Sequence, residues 1–98
     1  MRSPELPVRI EHLASEHRFI ARLAEGDAVL AYDMISTGLM DIQSTYVPPA
    51  ARGRGVGGAL VEAAVAFARD RGLQIRPTCW YAGVWLSRHP ELSGMVRE

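Results

Sequence analysis

Residues 47–59 read Val-Pro-Pro-Ala-Ala-Arg-Gly-Arg-Gly-Val-Gly-Gly-Ala, and they separate two halves of different periodicity. Upstream, apolar and polar residues alternate, as in strands covered on one face. Downstream, apolar residues recur at helical spacing. Proline lacks an amide donor and fixes its own φ, so Pro48-Pro49 ends the last strand of the first half. The expected class is α+β: strands first, then a helix launched from a glycine-rich turn.

The alternation predicts strands over Val8–Leu13, His17–Leu23, Ala28–Ile35 and Leu39–Val47. Glu25-Gly26-Asp27 and Thr37-Gly38 supply turns, so these strands form an antiparallel meander. Val56, Leu60, Ala64 and Phe67 mark a helix to Arg71, with Gly72 as its C-terminal cap. Glu62 is the only charge between Val56 and Ala68, which predicts a helix covered on more than one side. Leu73–Arg76 is a short strand, parallel to its partner because a helix precedes it. Thr78 is placed to N-cap a last helix, Cys79–Arg88, which His89-Pro90 ends.

Length and charge narrow the function classes. The 98 residues suffice for one core, with no repeat or linker to divide them, so 1–98 is read as a single domain. Eleven basic and eleven acidic residues cancel, which gives no general attraction to nucleic acid or to an anionic membrane. Cys79 is the only cysteine, which excludes an intrachain disulfide and fits a reducing compartment. Met1-Arg2-Ser3-Pro4-Glu5 leads into no apolar signal core, and no stretch is long enough to span a bilayer. A cytoplasmic location is expected. No cluster has metal-ligand spacing.

Gly53, Gly55, Gly57 and Gly58 let backbone approach a ligand, and the following helix leaves its first amides without internal partners. Amides and helix dipole favour phosphate, and Arg52 and Arg54 add charge. A flexible Arg-Gly loop, an RNA-binding tract or close helix packing are alternatives. Among phosphate sites, a Walker loop is excluded because Gly57-Gly58-Ala59 stands where Gly-Lys-Ser/Thr is required. A dinucleotide fingerprint lacks its parallel unit and its later acid.

Arg52-Gly53-Arg54-Gly55-Val56-Gly57 resembles the pyrophosphate motif of the GNAT superfamily of N-acetyltransferases: Arg or Gln, two residues, Gly, one residue, Gly or Ala. Pro77-Thr78-Cys79-Trp80-Tyr81 and His89-Pro90-Glu91 resemble a short branch of that superfamily, over roughly residues 39–91. The resemblance implies a GNAT-like fold and acetyl-coenzyme A as cosubstrate. The cofactor would be held by Tyr46, Val47, Arg52, Gly53, Arg54, Gly55, Val56, Gly57 and Gly58, in a gap between the strands flanking the helix. It implies an acetyltransferase acting on an amine of a small molecule or protein. The branch carries a His-Thr pair before the Val-Pro of the turn, where this chain has Ser44-Thr45.

Acetyl transfer requires a neutral nucleophile, stabilisation of the carbonyl oxygen and a proton for the departing thiolate. Cys79, in the first turn of a helix, is a candidate nucleophile or acid–base group, or else a small buried apolar residue. The resemblance implies for Tyr81 the part of the tyrosine that in many of these enzymes protonates the leaving thiolate; the alternative is a helix residue half buried against the sheet. His12 and His17 read as structural or exposed rather than as bases. Asp41 and Gln43 border the expected gap and read either as groups that position the acceptor or, as is commoner for polar strand residues, as solvent-facing. Trp80 and Trp85 do not share a helix face and suit core packing or a dimer contact, so a monomer or weak homodimer is expected. Besides an acetyltransferase, a non-catalytic acyl-coenzyme A binding or sensing module fits these residues.

Overall fold

The computed structural model describes residues 8–97; Met1–Glu5 lies outside them. Five strands form one sheet in chain order: β1 (Glu11–Leu13), β2 (Arg18–Leu23), β3 (Gly26–Ser36), β4 (Leu39–Tyr46) and β5 (Gln74–Pro77). The first four are antiparallel, and β5 runs parallel to β4. Two helices follow the meander, α1 (Val56–Asp70) and α2 (Trp80–Ser87), and single 3-10 turns occupy 14–16, 49–51 and 90–95. The fold is mixed α/β.

One face of the sheet supplies the core. Phe19 and Leu30 are paired across β2–β3, and Tyr32 and Ile42 across β3–β4, so their side chains share that face. Leu30, Met40, Ile42 and Ile75 are fully buried there beneath Leu60 and Val61 of α1. Truncating Leu60 to Ala would cost about 2–5 kcal/mol through lost contact and an unfilled cavity.

Element ends shift by one to three residues from the sequence expectation, and two local features differ in kind. Strand pairing begins at Glu11, not Val8. His17 is a turn residue at φ +56°, so β2 starts at Arg18. The helix α1 buries a single stripe (Val56, Leu60, Val61, Ala64, Val65, Ala68), while Glu62 and Ala66 face outward. Its apolar outer positions are alanines, which favour helix without requiring cover. Thr78 does not cap α2: Cys79 is the N-cap, and no side chain bonds the first-turn amides.

Candidate functional site

The parallel pairing of β4 with β5 ends at Ile42–Pro77. One more bond, from Cys79 N–H to the Ile42 carbonyl at 2.8 Å, marks where the strands part. Beyond it β4 continues to Tyr46 with only β3 as a neighbour, so one strand edge from Gln43 onward is open.

A cavity of about 510 Å³ occupies this opening. Thr45, Tyr46 and Val47 form one wall, Ala51, Arg52, Gly53, Gly55, Val56 and Gly57 the floor, and Tyr81 the far side. Gly55 is the N-cap of α1 at φ +83°, with Gly53 at +85°, a left-handed region that side chains resist. No side chain caps α1. Its first intrahelical bond runs from Ala59 N–H to the Gly55 carbonyl, which leaves the amides of Val56, Gly57 and Gly58 without acceptors in the helix.

The glycine after the turn serves a different purpose. A Cβ on Gly57 would stand 2.9 Å from the Tyr81 hydroxyl, and one on Gly58 3.3 Å from Trp85 Nε1. The start of α1 is thus bare so that α2 can lie against it. Trp85 in turn stacks on His89 at 3.8 Å, and the His89 Nδ1 bonds the Trp85 carbonyl. His89 therefore belongs to the end of α2.

The two turn arginines part company. Arg52 lines the cavity and donates from Nε to the Val47 carbonyl at 2.9 Å. Arg54 turns away to an ion pair with Glu25 of the β2–β3 turn, which holds the Glu25 carboxyl below its ordinary range. Of the nine expected cofactor positions, seven line the cavity; Arg54 and Gly58 do not.

Cys79 is buried and does not line the cavity directly. Its Sγ lies 3.6 Å from Thr45 Oγ1, and Thr45 does line it. Tyr81 is partly exposed, and Trp80, beside Cys79 in sequence, is 79% exposed. Asp41, read as solvent-facing, is only 5% exposed and accepts a 2.5 Å bond from the Thr78 hydroxyl. Thr45 and the Asp41–Thr78 pair escaped the sequence reading. A two-residue alternation gave no sign of the bulge at Gln43 that turns Thr45 inward.

His12 and His17 sit elsewhere. His12 stacks on Phe19 at 4.1 Å, bonds the Tyr32 hydroxyl at 2.7 Å, and meets Phe67 edge-on. Burial first, then Arg71 and His17, push its pKa down. Among the described residues no group of three or more His, Cys, Asp or Glu is arranged to hold a metal ion, and no helix is long and apolar enough to cross a membrane.

Known proteins share this architecture. Residues 18–95 match the family described as GCN5-related N-acetyl-transferase. Protein NATD1 of Mus musculus is 36% identical over 86 residues, covering 86% of this chain and 78% of the relative. Protein NATD1 of Danio rerio is 34% identical, covering 85% and 77%. The solution structure of a GCN5-like protein from Staphylococcus aureus superposes with a TM-score of 0.73 at 24% identity, over 94% of this chain and 90% of that one. At that identity the superposition speaks for the fold, while the family match and the NATD1 relatives speak for descent: the chain belongs to the GCN5-related N-acetyltransferase family.

Proposed function

We propose that this protein binds acetyl-coenzyme A in the cavity between β4 and α1 and transfers the acetyl group to an amine, the chain acting as one catalytic domain. The observation that carries this reading is the meeting of an uncapped helix start, a left-handed glycine turn and an open strand edge around one cavity. Amides at the start of α1 suit a pyrophosphate, with Arg52 adding charge. Added Cβ atoms at Gly53 and Gly55 would meet nothing within 4 Å, so these two glycines serve the backbone turn and leave the floor clear. The free edge of β4 suits an amide-bearing arm, which can pair as an added strand does.

In the transfer, the neutral amine attacks the acetyl carbon, the carbon–sulfur bond breaks, the amine gives up one N–H proton to solvent water, and the departing thiolate takes a proton. Tyr81, a phenol on the cavity wall, is the proposed donor. Cys79 is the proposed reactive thiol, meeting the cavity through Thr45. It acts either as a nucleophile that carries the acetyl group or as an acid–base partner.

The test is release of free coenzyme A on incubation with acetyl-coenzyme A and a panel of primary amines. Amine-dependent release supports the enzyme; binding with no release for any amine supports the second reading, a non-catalytic acyl-coenzyme A module. Two features favour that second reading: Cys79 is 8% exposed, and Ser44 stands where the short branch carries histidine. Mass spectrometry without acceptor separates the roles of Cys79, since only a nucleophile gains an acetyl group labile to hydroxylamine.

A further inference from the structure

Asp41 is the one buried charged residue among the described residues, and its place in the sheet is specific. It lies opposite Arg76 in the last rungs of the β4–β5 ladder, one residue before the final pair and two before the bulge at Gln43. Met40 and Ile42 face the core, so Asp41 faces the opposite side of the sheet. There it accepts the Thr78 hydroxyl at 2.5 Å. The next residue, Cys79, is fixed from the other side: its N–H bonds the Ile42 carbonyl and its Sγ approaches Thr45 on the core face. The short link from β5 to α2 is thus pinned on both faces of the sheet where the strands part.

We propose that Asp41 is a positioning residue for Cys79: by holding Thr78 on the face away from the core, its carboxylate fixes the turn that presents the thiol to Thr45 and the cavity. The proposal rests on the reading of Cys79 as the reactive group of the site. Asp41 touches neither thiol nor cavity; it acts through Thr78. A hydroxyl held by a carboxylate is a stronger restraint than one held by a neutral acceptor, which gives a reason for a buried charge at this rung. An apolar residue there would remove the desolvation cost of the carboxylate but leave the turn free to open.

The test uses Thr78→Val, Thr78→Ser and Asp41→Asn in the full chain. Thr78 is an exposed residue, so its substitution leaves the core packing in place. In Thr78→Val, alkylation of Cys79 by iodoacetamide should quicken about tenfold as the turn opens, the change expected when one charge-assisted hydrogen bond is lost. Acetyl transfer should slow by a similar factor, while affinity for coenzyme A, measured by calorimetry, stays at the wild-type value. Thr78→Ser, which keeps the hydroxyl, should restore both rates. Asp41→Asn, whose amide oxygen still accepts, should move both the same way by less. Alkylation unchanged in folded Thr78→Val, or a failure of Thr78→Ser to restore it, overturns the proposal. A role in stability alone would lower the melting temperature without this opposed change in the two rates. Alkylation needs no acetyl-coenzyme A, so if the wild-type protein transfers no acetyl group the proposed function fails, and the alkylation series still decides whether Asp41 positions Cys79.

Discussion

Thr45 Oγ1 stands 3.6 Å from Cys79 Sγ because β4 carries one extra residue. Opposite β3, Tyr32 pairs with Ile42 but Ala31 pairs with Ser44, which leaves Gln43 unmatched. Without that bulge, strict alternation would turn Ser44 to the core face with Ile42 and send Thr45 outward. The bulge falls where β5 ends, so the same residues that part the strands also aim a hydroxyl at the thiol. Thr45→Val keeps the shape and removes that hydroxyl. Acetyl transfer should fall about tenfold, the effect of one hydrogen bond lost at the proposed reactive thiol. An unchanged rate of coenzyme A release would reduce the contact to packing.

Gly57 and Tyr81 should be coupled. Alanine at a helical glycine ordinarily stabilises by about 1 kcal/mol. At Gly57 the new Cβ meets the Tyr81 ring at 2.9–3.1 Å, so the ring must move. Gly57→Ala should therefore fail to stabilise the wild-type protein and should stabilise a Tyr81→Ala background, with a coupling energy of about 1 kcal/mol in a denaturant double-mutant cycle. Additive effects would mean that Tyr81 does not rest on the helix start.

The arginines should differ. Arg52 lines the cavity, and Arg52→Ala should weaken acetyl-coenzyme A binding by about tenfold or more, as expected for one charge-assisted contact. Arg54 is engaged by Glu25, so Arg54→Ala should cost less affinity. Calorimetric titration of both variants checks the order, and equal losses would return Arg54 to the site.

Much of the fold was legible because two periods, one of two residues and one near four, divide at Pro48-Pro49. The glycine turn was legible too, since left-handed φ at Gly53 and Gly55 is a demand that composition advertises. Contacts across the sheet were not. Nothing in the local pattern marks Gln43 as a bulge, pairs Thr78 with Asp41, or diverts Arg54 to Glu25, because each depends on residues far apart in the chain. The expected N-cap at Thr78 failed for the same reason: its hydroxyl is taken by a strand.

Stability should depend on His12. Burial among Phe19, Tyr32 and Phe67, with Arg71 and His17 nearby, lowers its pKa in the folded protein from 6.5. The unfolded chain then binds a proton that the folded chain refuses, so this contribution is complete above about pH 6.5 and is lost as pH falls below it. Denaturant midpoints measured between about pH 5 and 8 should drop on the acid side, and His12→Gln should flatten that drop. An identical acid slope in the variant would contradict the assignment.

The turn from Arg52 to Gly57 and the wall from Thr45 to Val47 are proposed as an acetyl-coenzyme A site. Titration of nitrogen-15-labelled protein with acetyl-coenzyme A, followed amide by amide, tests it most directly. Saturable shifts should concentrate at Thr45, Tyr46, Val47, Gly53, Gly55, Val56 and Gly57 and be abolished by Gly55→Asp, which places a side chain and a negative charge at the uncapped helix start. Shifts confined to other residues, or wild-type shifts retained in a folded Gly55→Asp protein, would contradict it.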